Sequence, residues 1–181
     1  MTTLLFRTFP VAADMAGDGR TVHGMVMPYN QTAEVSDGRG SYKEKFMPGA
    51  FARSMRERGV SKVKLMGLHD RMRMPLGRMT DAQESPDGLM AAFHLAQTPA
   101  ADEALALVKD GTLDSFSVGF RPIRSSREGH VTIRHEASLH EVSLTPFPAY
   151  ASATIHGVRS SAPQTLTVDT ARRRLEIVLK W

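Results

Sequence analysis

The chain of 181 residues contains no cysteine. That excludes disulfides, thiolate metal sites and a cysteine nucleophile, and it fits a reducing compartment without demanding one. No apolar run approaches the roughly 18 residues of a membrane-spanning helix, and residues 1–7 lack the basic segment and long apolar core of a secretory signal; neither a membrane partner nor a signal peptide is expected. Aromatics are scarce, at 7%, and do not interleave with the small basic clusters at 71–73 and 172–174. Net charge is only +4, spread along the chain, whereas a nucleic-acid binder gathers its basic residues on one face. No specific nucleic-acid partner is therefore expected. Three catalytic or ligand motifs are also missing. There is no Gly-x-Ser-x-Gly elbow, which argues against an α/β-hydrolase, no Gly-rich phosphate loop and no HExxH helix. No internal repeat is found.

What is present is alternation. With 41% hydrophobic content the length suits one globular domain and a short extension. Residues 4–11 read as a strand, and 21–28 as a second that alternates Val22, Gly24 and Val26 against His23, Met25 and Met27; the two suggest a hairpin. Residues 29–40 read as a loop and 41–46 as a short strand. Pro48 then opens a helix through Phe51 and Met55 that stops at Gly59. Strands are expected over 62–69, 76–82 and 89–95. Thr98 caps a helix with Pro99 at its first position, and Asp110-Gly111 ends it. A strand over 113–121 follows, then a loop at 125–129, then two strands or one bent strand over 131–136 and 138–145. A break falls at 146–150, and 151–158 is weakly patterned. From Arg159 the composition shifts to a linker at 160–164 and a terminal stretch, 169–181, that could form a short helix. The expected class is mainly β with a few helices (α+β), a barrel or a curled sheet.

The segment Asp114-Ser115-Phe116-Ser117-Val118-Gly119-Phe120 is the most informative. Phe116, Val118 and Phe120 would anchor one face in a core. Ser115, Ser117 and Gly119 share the other, small and polar, with open space for a nucleophile. Of seven histidines, His69 stands out at a strand end beside Asp70. A serine hydroxyl is a poor nucleophile unless a base lies within hydrogen-bond reach. Three readings compete on these grounds: a serine hydrolase, a metal-dependent hydrolase built on His130, His135, His140 and a carboxylate, and a non-enzymatic β-rich module. Composition and periodicity alone favour the last.

Five segments in order, over about residues 20–158, resemble the HK97-like prohead (capsid maturation) proteases of tailed bacteriophages. They are Glu44-Lys45-Phe46-Met47-Pro48-Gly49-Ala50-Phe51; Leu68-His69-Asp70 with Pro75-Leu76-Gly77; Asp87-Gly88-Leu89; Gly111 to Phe120; and Leu139-His140-Glu141-Val142-Ser143-Leu144 with Pro148-Ala149. The resemblance implies a serine endopeptidase without cofactor or metal, on a closed or partly open antiparallel β-barrel of the herpesvirus-assemblin type. It implies His69 as general base, Ser117 as nucleophile and Glu141 as the third member. His140 is the alternative third member, since herpesvirus relatives use a second histidine there; strand alternation puts His140 and Glu141 on opposite faces. Ser115 is the rival nucleophile. Gly119 would admit substrate backbone, and Gly119 and Arg121 are candidates for oxyanion support. Asp70 reads as a structural partner. The expected protease domain spans 1–158, and the linker composition with the basic cluster at 172–174 suggests that 159–181 is a cleavable or scaffold-docking tail. The enzyme would act inside the assembling procapsid in the host cytoplasm, cutting the scaffolding segment of the major capsid protein and itself. The portal is a further candidate partner, and a homodimer the candidate assembly. The rivals are a catalytically silent capsid or scaffold component of the same fold, and the metal-dependent hydrolase.

Overall fold

Period-two alternation dictates most of the architecture, so most of the chain is strand. The computed structural model describes residues 5–10, 14–15, 19–37, 40–146 and 159–160. In chain order they form β1 (Leu5–Pro10), β2 (Asp14–Met15), β3 (Thr21–Pro28), β4 (Thr32–Asp37), β5 (Gly40–Phe46), α1 (Ala52–Arg58), a 3-10 turn at Val60–Lys62, β6 (Lys64–Gly67), β7 (Gly77–Glu84), β8 (Gly88–Leu95), α2 (Pro99–Asp110), β9 (Ser115–Glu128), β10 (Val131–Thr145) and β11 (Arg159–Ser160).

The main sheet runs β1-β9-β10-β6-β7-β8-β3, with β5 also on β10 and β4 on β5. It is open, not a closed barrel, and mixed rather than antiparallel, because β5 and β6 both pair parallel with β10. The reason lies in the length of β10. β5 takes residues Val131 to Arg134 of one edge and β6 takes Glu141 to Leu144. Between them the chain leaves the edge as α1 and returns in the same direction. Helix and preceding turn satisfy the exposed ladder: Ala137 N–H donates to the Ala50 carbonyl at 2.9 Å and Leu139 N–H to Ser54 Oγ at 3.0 Å. Both backbone donors thereby keep a partner where no strand is at hand.

Three further expectations change. β1 pairs with β9 and β3 with β8, so the first two strands are not a hairpin. The expected loop at 29–40 contains β4, whose Ala33 and Val35 are buried between exposed neighbours. The expected loop at 125–129 is mostly strand: β9 runs to Glu128 and turns back at Gly129, forming a polar two-stranded arm with β10. Polarity hid it: residues 124–128 of β9 are all exposed, and a strand segment solvated on both faces needs no apolar alternation. The tail boundary, the linker and the terminal helix lie outside the described residues, apart from Arg159–Ser160, which pair parallel with Asp14–Met15.

The helices follow their signals. Thr98 Oγ accepts the Ala101 N–H at 3.4 Å, and Gly111 ends α2 in the left-handed region at φ 84°. α1 has no side-chain cap of its own. Glu84 supplies one from β7, accepting the Gly49 and Phe51 N–H groups, both at 3.2 Å, and the Tyr29 hydroxyl at 2.6 Å. Burial, reinforced by this carboxylate, pushes the Tyr29 hydroxyl far above the usual phenol range.

The anchoring face of β9 packs as its sequence demands. Phe116, Val118 and Phe120 are fully buried. Phe120 meets Phe46 edge-on at 5.0 Å, and Phe116 meets Phe93 at 5.2 Å. Beside this cluster Arg134 Nε donates to Glu44 Oε2 at 2.6 Å, with its other nitrogens on Ser125 and Tyr42 and its guanidinium 5.9 Å from the Phe120 ring centre. Glu44 is wholly buried and Arg134 nearly so. Removing one partner strands a charge, so Arg134→Met should cost about 3–5 kcal/mol in urea unfolding. The double variant Glu44→Gln/Arg134→Met should recover much of that.

Candidate active site

The site begins where β6 runs out. Its parallel pairing with β10 ends at Gly67 opposite Leu144. The chain then turns through Leu68 and His69, with φ of 52° and 57°. His69 is therefore not the last residue of a strand, as expected, but the second residue of a turn. Two side-chain-bearing residues in the left-handed region cost roughly 1–3 kcal/mol each, so the surroundings must hold them. Leu68 N–H donates to the Leu144 carbonyl at 3.0 Å, His69 N–H to Ser143 Oγ at 3.0 Å, and Asp70 N–H to the Gly67 carbonyl at 2.9 Å. The Asp70 carboxylate accepts the Met72 N–H at 3.0 Å and pairs with Arg73 at 3.3 Å.

This turn aims the His69 imidazole between β9 and β10. Nε2 lies 2.5 Å from Ser117 Oγ and Nδ1 lies 2.6 Å from Glu141 Oε1. An ionised carboxylate only accepts, so Nδ1 carries the proton and Nε2 accepts from the serine hydroxyl. The second carboxylate oxygen, Oε2, accepts from Ser143 Oγ at 2.9 Å. Ser117, Glu141 and Ser143 are buried. The small face of β9 is thus not open, as its composition suggested; it is covered by this network.

Register explains the convergence. Ser143 pairs with Ser117 and Glu141 with Gly119. The ladder shifts between Leu139 and Glu141, making His140 an extra residue. Leu139 and Val142, three apart, are both fully buried, which unbroken alternation forbids. The bulge flips the strand's parity and delivers Glu141 to the serine face. The opposite-face argument for choosing between His140 and Glu141 fails for the same reason.

His140 instead accepts from Arg58 Nη1 at 3.2 Å, the same nitrogen that donates to Ser138 Oγ at 3.1 Å. Burial first, then the charges of Arg58, Arg121 and Arg71, hold the His140 imidazole below its ordinary pKa. Arg121 is exposed, opposite Ser138. Ser115 donates to Asp114 Oδ1 at 2.7 Å, not to His69. His135 lies on Ser126 at 2.7 Å, and among the described residues no three His, Asp or Glu side chains converge as a metal set.

Gly119 has a different use from the one its sequence context suggests. A Cβ there would overlap the Glu141 carboxylate. The missing side chain makes room for the acid, not for substrate backbone. Ser143 stands in the segment 139–144 that carries the resemblance, but no role was expected of it. Its signal was its spacing: two residues past Glu141 on one strand, it shares that residue's face.

Serine, imidazole and buried carboxylate in one hydrogen-bonded line are the constellation of the serine hydrolases. The chain itself belongs to the caudovirus prohead serine proteases, whose family model matches residues 8–167. Among solved structures it is similar to the bacteriophage T4 capsid assembly protease, gp21, with a TM-score of 0.57 and 9% identity over 80% of this chain and 98% of that one. At that identity the likeness speaks for the fold. No curated protein matches the chain by sequence.

Two outcomes follow from the geometry. Gly119→Ala should lower stability by about 1–3 kcal/mol in thermal unfolding and displace the Glu141 carboxylate. For His140 the folded chain binds its proton less readily than the unfolded chain. Its contribution therefore opposes folding as pH falls below about 6.5. His140→Gln should make stability fall less between pH 7 and pH 5, as measured by urea titration at each pH.

Proposed function

We propose that the protein is a serine endopeptidase of the phage procapsid, with Ser117 as nucleophile, His69 as general base and Glu141 as the group that orients the imidazole. The observation that carries this reading is the His69 ring held between the Ser117 hydroxyl and the Glu141 carboxylate. In the first step Ser117 Oγ attacks the scissile carbonyl while its proton passes to His69 Nε2. Glu141 stabilises the imidazolium that forms. That imidazolium then protonates the leaving amine, and the peptide bond breaks to an acyl-enzyme. Water, activated by the same imidazole, attacks the ester; the acid product leaves and Ser117 regains its proton.

Oxyanion support is assigned with less help from the strand. The strand pairings of β9 at Ser117 and Gly119, with β1 and β10, occupy its ladder on both edges. Arg121 lies four strand positions beyond Ser117, about 13 Å of chain. Arg58, Arg71 and Arg121 all act electrostatically on His140, the neighbour of Glu141 along β10, and positive charge there favours negative charge developing nearby.

Membership of the prohead family implies action on the prohead and its capsid proteins. The finer assignments extend that reading: the scaffolding segment of the major capsid protein as substrate, the portal as a further contact, a homodimer as the working assembly, and an assemblin-type ancestry for the fold. Cutting a scaffold segment is irreversible and empties the shell for DNA. The linker-like composition after Arg159 supports self-cleavage in the tail.

Co-expression with the capsid protein tests the assignment. The native chain should shorten the capsid subunit on a gel, and Ser117→Ala should slow this by a factor on the order of 10⁴ to 10⁶. Shortening by the alanine variant at the native rate would remove Ser117 from the mechanism. A serine-reactive phosphonate should add its mass to Ser117; a silent shell component of the same fold would take up none. Incubated active enzyme should also lose C-terminal residues by intact mass, whereas Ser117→Ala should keep them.

A further inference from the structure

We infer that Ser143 is a positioning residue of the reaction, a side chain that ties the base and its acid to a common point. This deepens the reading above and rests on it. The inference stands on a single buried hydroxyl with two bonds in opposite senses. Ser143 Oγ accepts the His69 backbone N–H at 3.0 Å and donates to Glu141 Oε2 at 2.9 Å. It is fully buried, so no water takes its place if it is lost.

The two bonds constrain different parts of the constellation. The first holds His69 in its left-handed backbone conformation, φ 57°, which a histidine rarely adopts unaided. It thereby sets where the imidazole starts. The second fixes the rotation of the Glu141 carboxylate, so that Oε1 faces Nδ1. The overlap that a Cβ at Gly119 would make shows that the same carboxylate fills the space above that residue, leaving it little lateral freedom. Ser143 touches no reacting atom. It acts through His69 and Glu141, and its register position opposite Ser117 places all four groups on one pair of strands. Losing the hydroxyl therefore loosens the distance that proton transfer depends on, while leaving the substrate-facing surface as it was.

The test uses the full chain with a peptide taken from the capsid cleavage junction. Ser143→Ala should lower kcat by about 10- to 100-fold with KM within about twofold, and Ser143→Thr, which keeps the hydroxyl, should restore most of kcat. Proton NMR of Ser117→Ala reads the geometry without turnover. There the proton between His69 Nδ1 and Glu141 should give a protected downfield signal, lost or shifted when Ser143→Ala is added and retained with Ser143→Thr. The inference is overturned by native kcat in Ser143→Ala, by an unchanged proton signal, or by Ser143→Thr being as slow as Ser143→Ala while thermal unfolding shows both folded. If Ser143→Ala does not fold, the NMR signal in the Thr variant decides: its absence overturns the inference. A peptidase reading that failed would show differently, as cleavage indifferent to Ser117, with the NMR arm still readable.

Discussion

The pairing of β9 with β10 governs the site, and one extra residue in β10 governs that pairing. Ahead of His140, β10 turns Leu139 into the core; beyond it, Val142 and Leu144 take that role and Glu141 and Ser143 face Ser117. Keep His140 in strict alternation, without the bulge, and the acid would share Leu139's face and point into the core. A buried carboxylate among aromatic rings is prohibitively costly without partners. The bulge thus reconciles two demands on one strand, an apolar face for folding and an acidic one beside the serine.

The rest of the molecule supplies rigidity around that pair. β9 is flanked on both edges by β1 and β10. β10 receives β5, α1 and β6 along its other edge, so its ladder is occupied at both ends and its middle is closed by Ala50 and Ser54. Glu84 reaches from β7 to hold the turn into α1. The Glu44–Arg134 pair, lying against Phe120, ties β5 to β10 within the core. Each of these contacts joins segments distant along the chain, which is how residues 69, 117 and 141 come within one hydrogen-bonded line.

Local signals made the scaffold largely legible. The alternation of Phe116, Val118 and Phe120 predicted a strand anchored on one face, and Thr98-Pro99 with Gly111 predicted α2 almost to the residue. Family motifs singled out His69, Ser117 and Glu141, which the fold brings together. What sequence could not reveal was parity and direction. A bulge leaves no compositional mark, so His140 and Glu141 were sorted by an alternation that breaks between them. Parallel addition of β5 and β6 depends on where a long strand has free edge, a property of the assembled sheet. The left-handed turn at Leu68 and His69 defies both residues' own preference, and it is held in part by Ser143 and Leu144, some 75 residues on. Local rules fail most where distant groups overrule them, and here that place is the site.

The two ends of the serine–imidazole contact are mounted very differently. The hydroxyl hangs from a strand clamped along both sides, while the ring hangs from a two-residue corner leading into a segment where Met72 and Met74 stand almost fully in solvent. A displacement passed along that segment would therefore reach the ring before the oxygen.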